Sequence, residues 1–176
     1  QNPEFYKAQA MRLSTRGKPR VIGCAEDHPQ HIGLPRGCMD DLVRALSSLG
    51  IRPHIRDERC TGTPLHVSFL GALRPEQKPA AEALAAHDTG VLAATTAFGK
   101  TVIAAWLIAQ RGVNTLILVC TKQLMEQWVE RLSTFLGVPP KSIGRIGGGK
   151  KKPTGTLDVA LMQSLVRDGV VDDCVG

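Results

Sequence analysis

At 176 residues and 43% hydrophobic content, the chain can bury a real core, either as one domain or as a small domain joined to a larger one. A net charge of +6 suits an acidic partner such as nucleic acid without requiring one. Arg, Gly or Asn interrupts every apolar run well short of a membrane span, no signal-peptide pattern opens the chain, and the histidines and cysteines are too scattered for a zinc cluster, so neither a membrane partner nor a zinc-type centre is expected, a Mg²⁺ travelling with a nucleotide being a separate matter.

Residues 1–20 hold Phe5, Tyr6, Met11 and Leu13 among Lys and Arg, with a weak helical spacing from Phe5 to Met11. RVIGCA, from Arg20 to Ala25, reads as a strand, and the loop after it carries His28 and His31, a pair expected to be solvated. MDDLVRALSSLG predicts an amphipathic helix capped by Asp40 or Asp41, with Leu42, Leu46 and Leu49 on one face and Gly50 as its stop. IRPHIRDER and PLHVSF alternate apolar with polar residues and predict two half-exposed strands. Residues 1–70 therefore read as a small α+β domain. Its ten basic residues are interleaved with seven acidic ones, so an accessory nucleic-acid role and a plain packing role both stay open.

The composition shifts to Ala and Glu in GALRPEQKPAAEALAAH. Pro79 means that this helix is either kinked or begins near Lys78, with Gln77 in or beside its first turn. Next comes GVLAATTAFGKTVIAAWLIAQRG, residues 90–112, which reads as an apolar strand, a small-residue loop closing on Gly99-Lys100-Thr101, and an apolar helix stopped by Gly112. That is the layout of a phosphate-binding loop, in which backbone N–H groups and a positive helix end converge on an anion while a lysine and a hydroxyl complete the cradle. Against the strict pattern G-x-x-x-x-G-K-[ST], Ala94 replaces the first glycine, and the bland alternative is an ordinary strand-turn-helix connection.

TLILV, from Thr115 to Val119, predicts a central parallel strand covered on both faces. KQLMEQWVERLSTFLG predicts a helix with Leu124, Trp128, Leu132 and Phe135 at helical spacing, Trp128 being a core residue. Strands follow at SIGRI and LDVALM, and GGGKKKPTG between them reads as a solvent-facing loop with phosphate contact open. The expected fold is α/β, an open, largely parallel sheet with helices on both faces. Cys24, Cys38, Cys60, Cys120 and Cys174 include no C-x-x-C pair and read as free thiols in a reducing, cytoplasmic setting.

Four stretches over residues 71–176 resemble, in order and spacing, the first motor domain of superfamily 2 DEAD/DEAH (DExH) box helicases, particularly XPB-like and type III restriction helicases. LRPEQ resembles the adenine-reading motif, which implies nucleotide contacts at Arg74 and Gln77. ATTAFGKT resembles the phosphate loop, which implies ATP contacts at Thr96, Ala97, Phe98, Gly99, Lys100 and Thr101, with Mg²⁺ held at Thr101 through the nucleotide. Alanine at position 94 is ordinary in that family, whereas glycine usually stands at the place of Ala97. LILVCTKQLMEQW resembles a strand-to-helix motif that implies nucleic-acid contacts at Thr121 and Lys122. The glycines Gly147–Gly149 and DVALMQSLV resemble track motifs implying contacts at Gly148, Gly149, Gln163 and Ser164, although Leu161 stands where threonine is common.

The resemblance implies a P-loop NTPase (RecA-like) sheet, incomplete at its C-terminal end and preceded by the small domain, within an ATP-dependent DNA helicase or translocase. DNA is favoured over RNA, and a second motor domain of the same polypeptide is the expected partner. The family's Asp-Glu strand is not found, and Asp172-Asp173 read as loop residues. The chain begins at Gln1 and stops without a closing element, so it is expected to be part of a longer protein, and alone to bind ATP at most weakly without hydrolysing it. The alternatives are another phosphate-loop enzyme and a DNA-binding module without catalysis.

Overall fold

The computed structural model describes residues 1–167 and 170–171. Asp172, Asp173 and Cys174 lie outside the described residues. The chain divides into two compact units, Gln1–Asp57 and Glu58–Gly176.

In the first unit α1 spans Pro3–Ala10. Asn2 starts it, accepting from the Glu4 N–H at 3.0 Å and donating its amide to the Pro19 carbonyl at 2.8 Å. Phe5 and Ala8 are buried beneath this contact, and the Arg20 guanidinium lies 5.6 Å from the Phe5 ring. The strand expected at residues 20–25 does not form. Instead β1 (Glu26–Asp27) pairs antiparallel with β2 (Ile32–Gly33), and His28 stacks on His31 across the turn. Helix α2 covers Met39–Ser48. Its N-cap is Cys38 without a side-chain bond, so Asp40 and Asp41 sit in the first turn, where they face the positive helix end instead of capping it. The helix has its expected apolar periodicity yet buries no residue.

No strand forms at residues 51–59, and PLHVSF makes only an isolated bridge, Pro64 to Val113. Alternation licenses a strand only where a neighbour supplies ladder partners, which local pattern cannot specify. The division at Asp57 falls before the expected boundary at residue 70 because the intervening stretch is tied to the second unit. Leu65 N–H donates to the Gly112 carbonyl and Leu70 N–H to the Phe135 carbonyl, each at 2.8 Å, and Phe69 stacks on Phe135.

The second unit follows the expected helices closely. Helix α3 begins at Lys78 (Lys78–Ala85), with Pro79 in its first turn where no hydrogen bond is lost. Helix α4 spans Lys100–Arg111 between two left-handed glycines, Gly99 and Gly112. Strand β3 (Thr115–Val119) leads to α5 (Lys122–Leu136), which Gly137 ends at φ 65°. Strands β4 (Gly144–Gly147), β5 (Lys150–Lys152) and β6 (Leu157–Leu161) and the single turn α6 (Met162–Leu165) follow. A pair of two-residue strands, β7 (Val166–Arg167) and β8 (Val170–Val171), completes the described elements.

The four-stranded sheet has the order β3-β6-β4-β5, parallel between β3 and β6 and between β6 and β4, antiparallel between β4 and β5. The architecture is therefore α/β with a mixed sheet, not an all-parallel one. Three expectations change here. The central strand is β6, buried from Leu157 to Ala160, whereas β3 has one described neighbour and leaves Leu118 exposed. The lysine run is a strand, β5, at the sheet's edge, where charge discourages further pairing. Residues 90–95 pair with no described strand, and Val91 is exposed.

Two hydrophobic clusters are described in this unit, a small one of Ile146, Ala160 and Leu165 and a larger one. In the larger, Ala105 and Ile108 of α4, Met125, Val129 and Leu132 of α5, and Val119, Leu157 and Val159 of the sheet close on one another, with Trp128 at the margin. Asp158 organises the turn into β6 and is itself buried. Its carboxylate accepts from the Thr154 N–H and hydroxyl and from the Gly155 N–H, at 2.7 to 2.9 Å.

Candidate functional site

Lys100 and Thr101 open α4, and Gly99 precedes them at φ +89°, a conformation that costs a side-chain-bearing residue dearly. No side chain caps this helix, and among the described residues the amides of Gly99, Lys100 and Thr101 make no backbone hydrogen bond. They are donors at a positive helix end, free for an anion. The Lys100 ammonium lies back over the loop, donating to the carbonyls of Ala94 at 3.0 Å and Thr95 at 2.8 Å. Ammonium, amides and the Thr101 hydroxyl together fit a nucleotide's phosphates and an associated Mg²⁺.

The loop itself is a turn. Phe98 N–H donates to the Thr95 carbonyl at 3.3 Å, leaving Thr96 and Ala97 at its centre, and Ala97 has φ +64°. Positive φ at the third position is the pattern of a type II turn, which favours glycine there. The departure at Ala97 thus leaves the backbone in glycine-like geometry with an alanine in it.

Arg74 and Gln77 lie directly against this turn. Gln77 is 2% exposed, and both ends of its amide are engaged with backbone. Its Oε1 accepts from the Arg74 N–H at 2.9 Å, and its Nε2 donates to the Phe98 carbonyl at 2.7 Å. Arg74 Nη2 donates to the same carbonyl at 2.6 Å, while its Nε faces Glu76 at 3.1 Å. A Cβ on Gly99 would stand 2.4 Å from the Gln77 amide nitrogen, so Gly99 is required for space as well as for φ. A cleft of about 310 Å³ opens nearby between Phe69, Leu73, Lys78 and Trp106, but Arg74, Gln77 and Lys100 do not line it.

The second group of expected residues gathers where β3, β4 and β6 end. Thr121 caps α5, its hydroxyl accepting from the Leu124 N–H at 3.2 Å, which leaves the hydroxyl proton free to donate. The Lys122 stem packs on Gly148, where an added Cβ would lie 3.3 Å from it. Gly147, Gly148 and Gly149 all have positive φ, a run only glycine sustains cheaply, and the space beside Gly149 is open. Ser164 backs Gly147, and Gln163 donates its amide to the Cys120 carbonyl at 3.1 Å. Residues more than forty positions apart therefore share one corner.

Sequence reasoning missed three participants. The carbonyls of Ala94, Thr95 and Cys120 receive the site's own side chains, and a main-chain acceptor leaves no mark in residue identity.

A family model described as type III restriction enzyme, res subunit, matches residues 70–171. The chain belongs to that family. Its similarity extends to a Halobacterium salinarum protein bearing the name of the DNA 3'-5' helicase Rad25, 34% identical over 100 residues, which are 56% of this chain and 17% of the relative. A Haloarcula marismortui protein of the same name is 32% identical over 56% of this chain and 16% of its own length. The Sulfurisphaera tokodaii DNA 3'-5' translocase XPB2 is 36% identical over 83 residues, 47% of this chain and 18% of that protein. The chain thus spans less than a fifth of each of these relatives. The resemblance to XPB-like and type III restriction helicases of superfamily 2 holds. No helix among the described residues is long and apolar enough to cross a membrane, and Cys24, Cys38, Cys60 and Cys120 are free thiols.

Proposed function

We propose that the chain carries the opening part of an ATP-driven motor on DNA. ATP binds at the start of α4, and the tracked strand runs past Thr121, Lys122, Gly148, Gly149, Gln163 and Ser164. The observation that carries this reading is the uncapped start of α4, with free amides at Gly99–Thr101 and an ammonium poised over the loop. An anion there gains several charge-assisted hydrogen bonds and displaces no capping side chain.

Lys100 leaves the Ala94 and Thr95 carbonyls to meet the phosphates. Thr101 is the residue that would hold Mg²⁺, which when bound neutralises phosphate charge. Arg74 and Gln77 flank the base side of the loop. The names of the Rad25 and XPB2 relatives support DNA as the partner polymer. A phosphate on that polymer would accept hydrogen bonds from the Thr121 hydroxyl and the Lys122 ammonium, with open backbone at Gly149.

Hydrolysis requires groups that position water and stabilise transferring charge, assigned here to an Asp-Glu strand and a second motor domain outside residues 1–176. The chain as it stands binds nucleotide without turnover. Calorimetric titration with ATP, with and without Mg²⁺, is expected to give weak saturable binding and no phosphate release. Absence of any adenine-nucleotide affinity under both conditions would sink the proposal.

A further inference from the structure

Arg74 and Gln77 converge on a single acceptor, the Phe98 carbonyl, at 2.6 and 2.7 Å. The adjoining residue is Ala97, one of two non-glycine residues with positive φ among the described residues. A turn with alanine at this position favours relaxing to negative φ, which would displace the chain that follows it, the Phe98 carbonyl included. The two donors oppose that swing, because they bond Phe98 only while the turn keeps its shape. The amide of Gln77 is in turn held by the Arg74 N–H and enclosed beside Gly99, so it cannot follow a moving carbonyl.

We propose that Arg74 and Gln77 are positioning residues that hold the alanine-bearing loop in a shape glycine would adopt unaided. The clamp replaces backbone freedom with two side-chain hydrogen bonds. Its consequence is a dependence between positions 97 and 77 that neither residue type reveals alone. A second consequence concerns the base. For Gln77 to contact an adenine it must let go of Phe98, so base contact and loop shape are linked through one side chain. This part of the inference rests on the nucleotide reading above, whereas the clamp itself does not.

The test is a double-mutant cycle in the full 176-residue chain. Gln77→Met keeps the buried volume and removes both polar atoms, and Arg74→Met removes the exposed donor at little risk to folding. Each is made with Ala97 and with Ala97→Gly. The first readout needs no nucleotide and is hydrogen exchange at the Phe98 amide, which the turn protects through the Thr95 carbonyl. With Ala97 present, either substitution is expected to speed exchange by about tenfold, the factor set by left-handed strain in alanine, and with Ala97→Gly by about threefold or less. Equal acceleration in both backgrounds overturns the clamp. The second readout is Mg-ATP affinity in the same variants, expected to show the same rescue by Ala97→Gly. If rescue appears in exchange while no variant binds nucleotide, the clamp stands and the nucleotide reading falls. If nucleotide binds but Ala97→Gly rescues neither readout, the clamp falls alone.

Discussion

Helices α4 and α5 begin a strand apart and solve the same problem in opposite ways. Each must dispose of first-turn N–H groups that have no partner within the helix. Helix α5 uses its own Thr121 hydroxyl, which accepts from Leu124. Helix α4 has Gly99 in that position and leaves its amides unmet. A self-capped start stabilises the helix by meeting one first-turn amide, that of Leu124, and keeps a hydroxyl proton to donate. An uncapped start forgoes that stabilisation and offers several donors at once. The difference teaches that a helix start without a side-chain cap leaves its first-turn amides to whatever lies outside the helix.

Substitutions can sharpen or break this contrast. The largest expected effect is Lys100→Ala, which removes the ammonium over the uncapped start. ATP affinity should fall about a hundredfold, the worth of one or two charge-assisted bonds, with melting temperature nearly unchanged. Gly99→Ala comes next. It adds about 1–2 kcal/mol of left-handed strain, and its Cβ displaces the Gln77 amide, so titration should show affinity down about tenfold together with lower stability.

Thr121→Ala should behave differently, costing about 1 kcal/mol of stability, or roughly 2–4 °C in a thermal melt, with ATP affinity intact. A loss of ATP binding there would erase the distinction between the two starts. The smallest effect is expected for Lys122→Ala. Its stem lies on Gly148, and the slope of log affinity for DNA against log salt should fall by about one. An unchanged slope would remove Lys122 from the track.

The helices were legible wherever local signals closed on themselves. Pro79 narrowed α3 to a kink or a start near Lys78, Gly112 and Gly137 ended α4 and α5, and Thr121-Lys122 marked the start of α5. The strands of the first seventy residues were not legible in the same way. RVIGCA and IRPHIRDER have strand-like patterns but form no β-ladder among the described residues, and α2 has an apolar face that buries nothing. The lysine run 150–152 was misread for the converse reason. Nothing in three lysines predicts that Arg145, Ile146 and Gly147 would pair with them.

The same division runs through the site. Gly99-Lys100-Thr101 is a contiguous signature whose chemistry follows from residue type and spacing, whereas Thr121-Lys122 and Gln163-Ser164 became candidates through the family resemblance, and in both ways the sequence by itself determined the family and the candidate residues. Only the tertiary structure decided that the Gln77 amide turns inward onto Phe98, that Lys122 rests on Gly148, and that Gln163 reaches Cys120. These contacts join residues that are distant in the chain, and in two of the three the acceptor is a backbone carbonyl that every residue possesses. A sequence records which side chains are available, whereas the acceptor each one finds is settled when the chain packs.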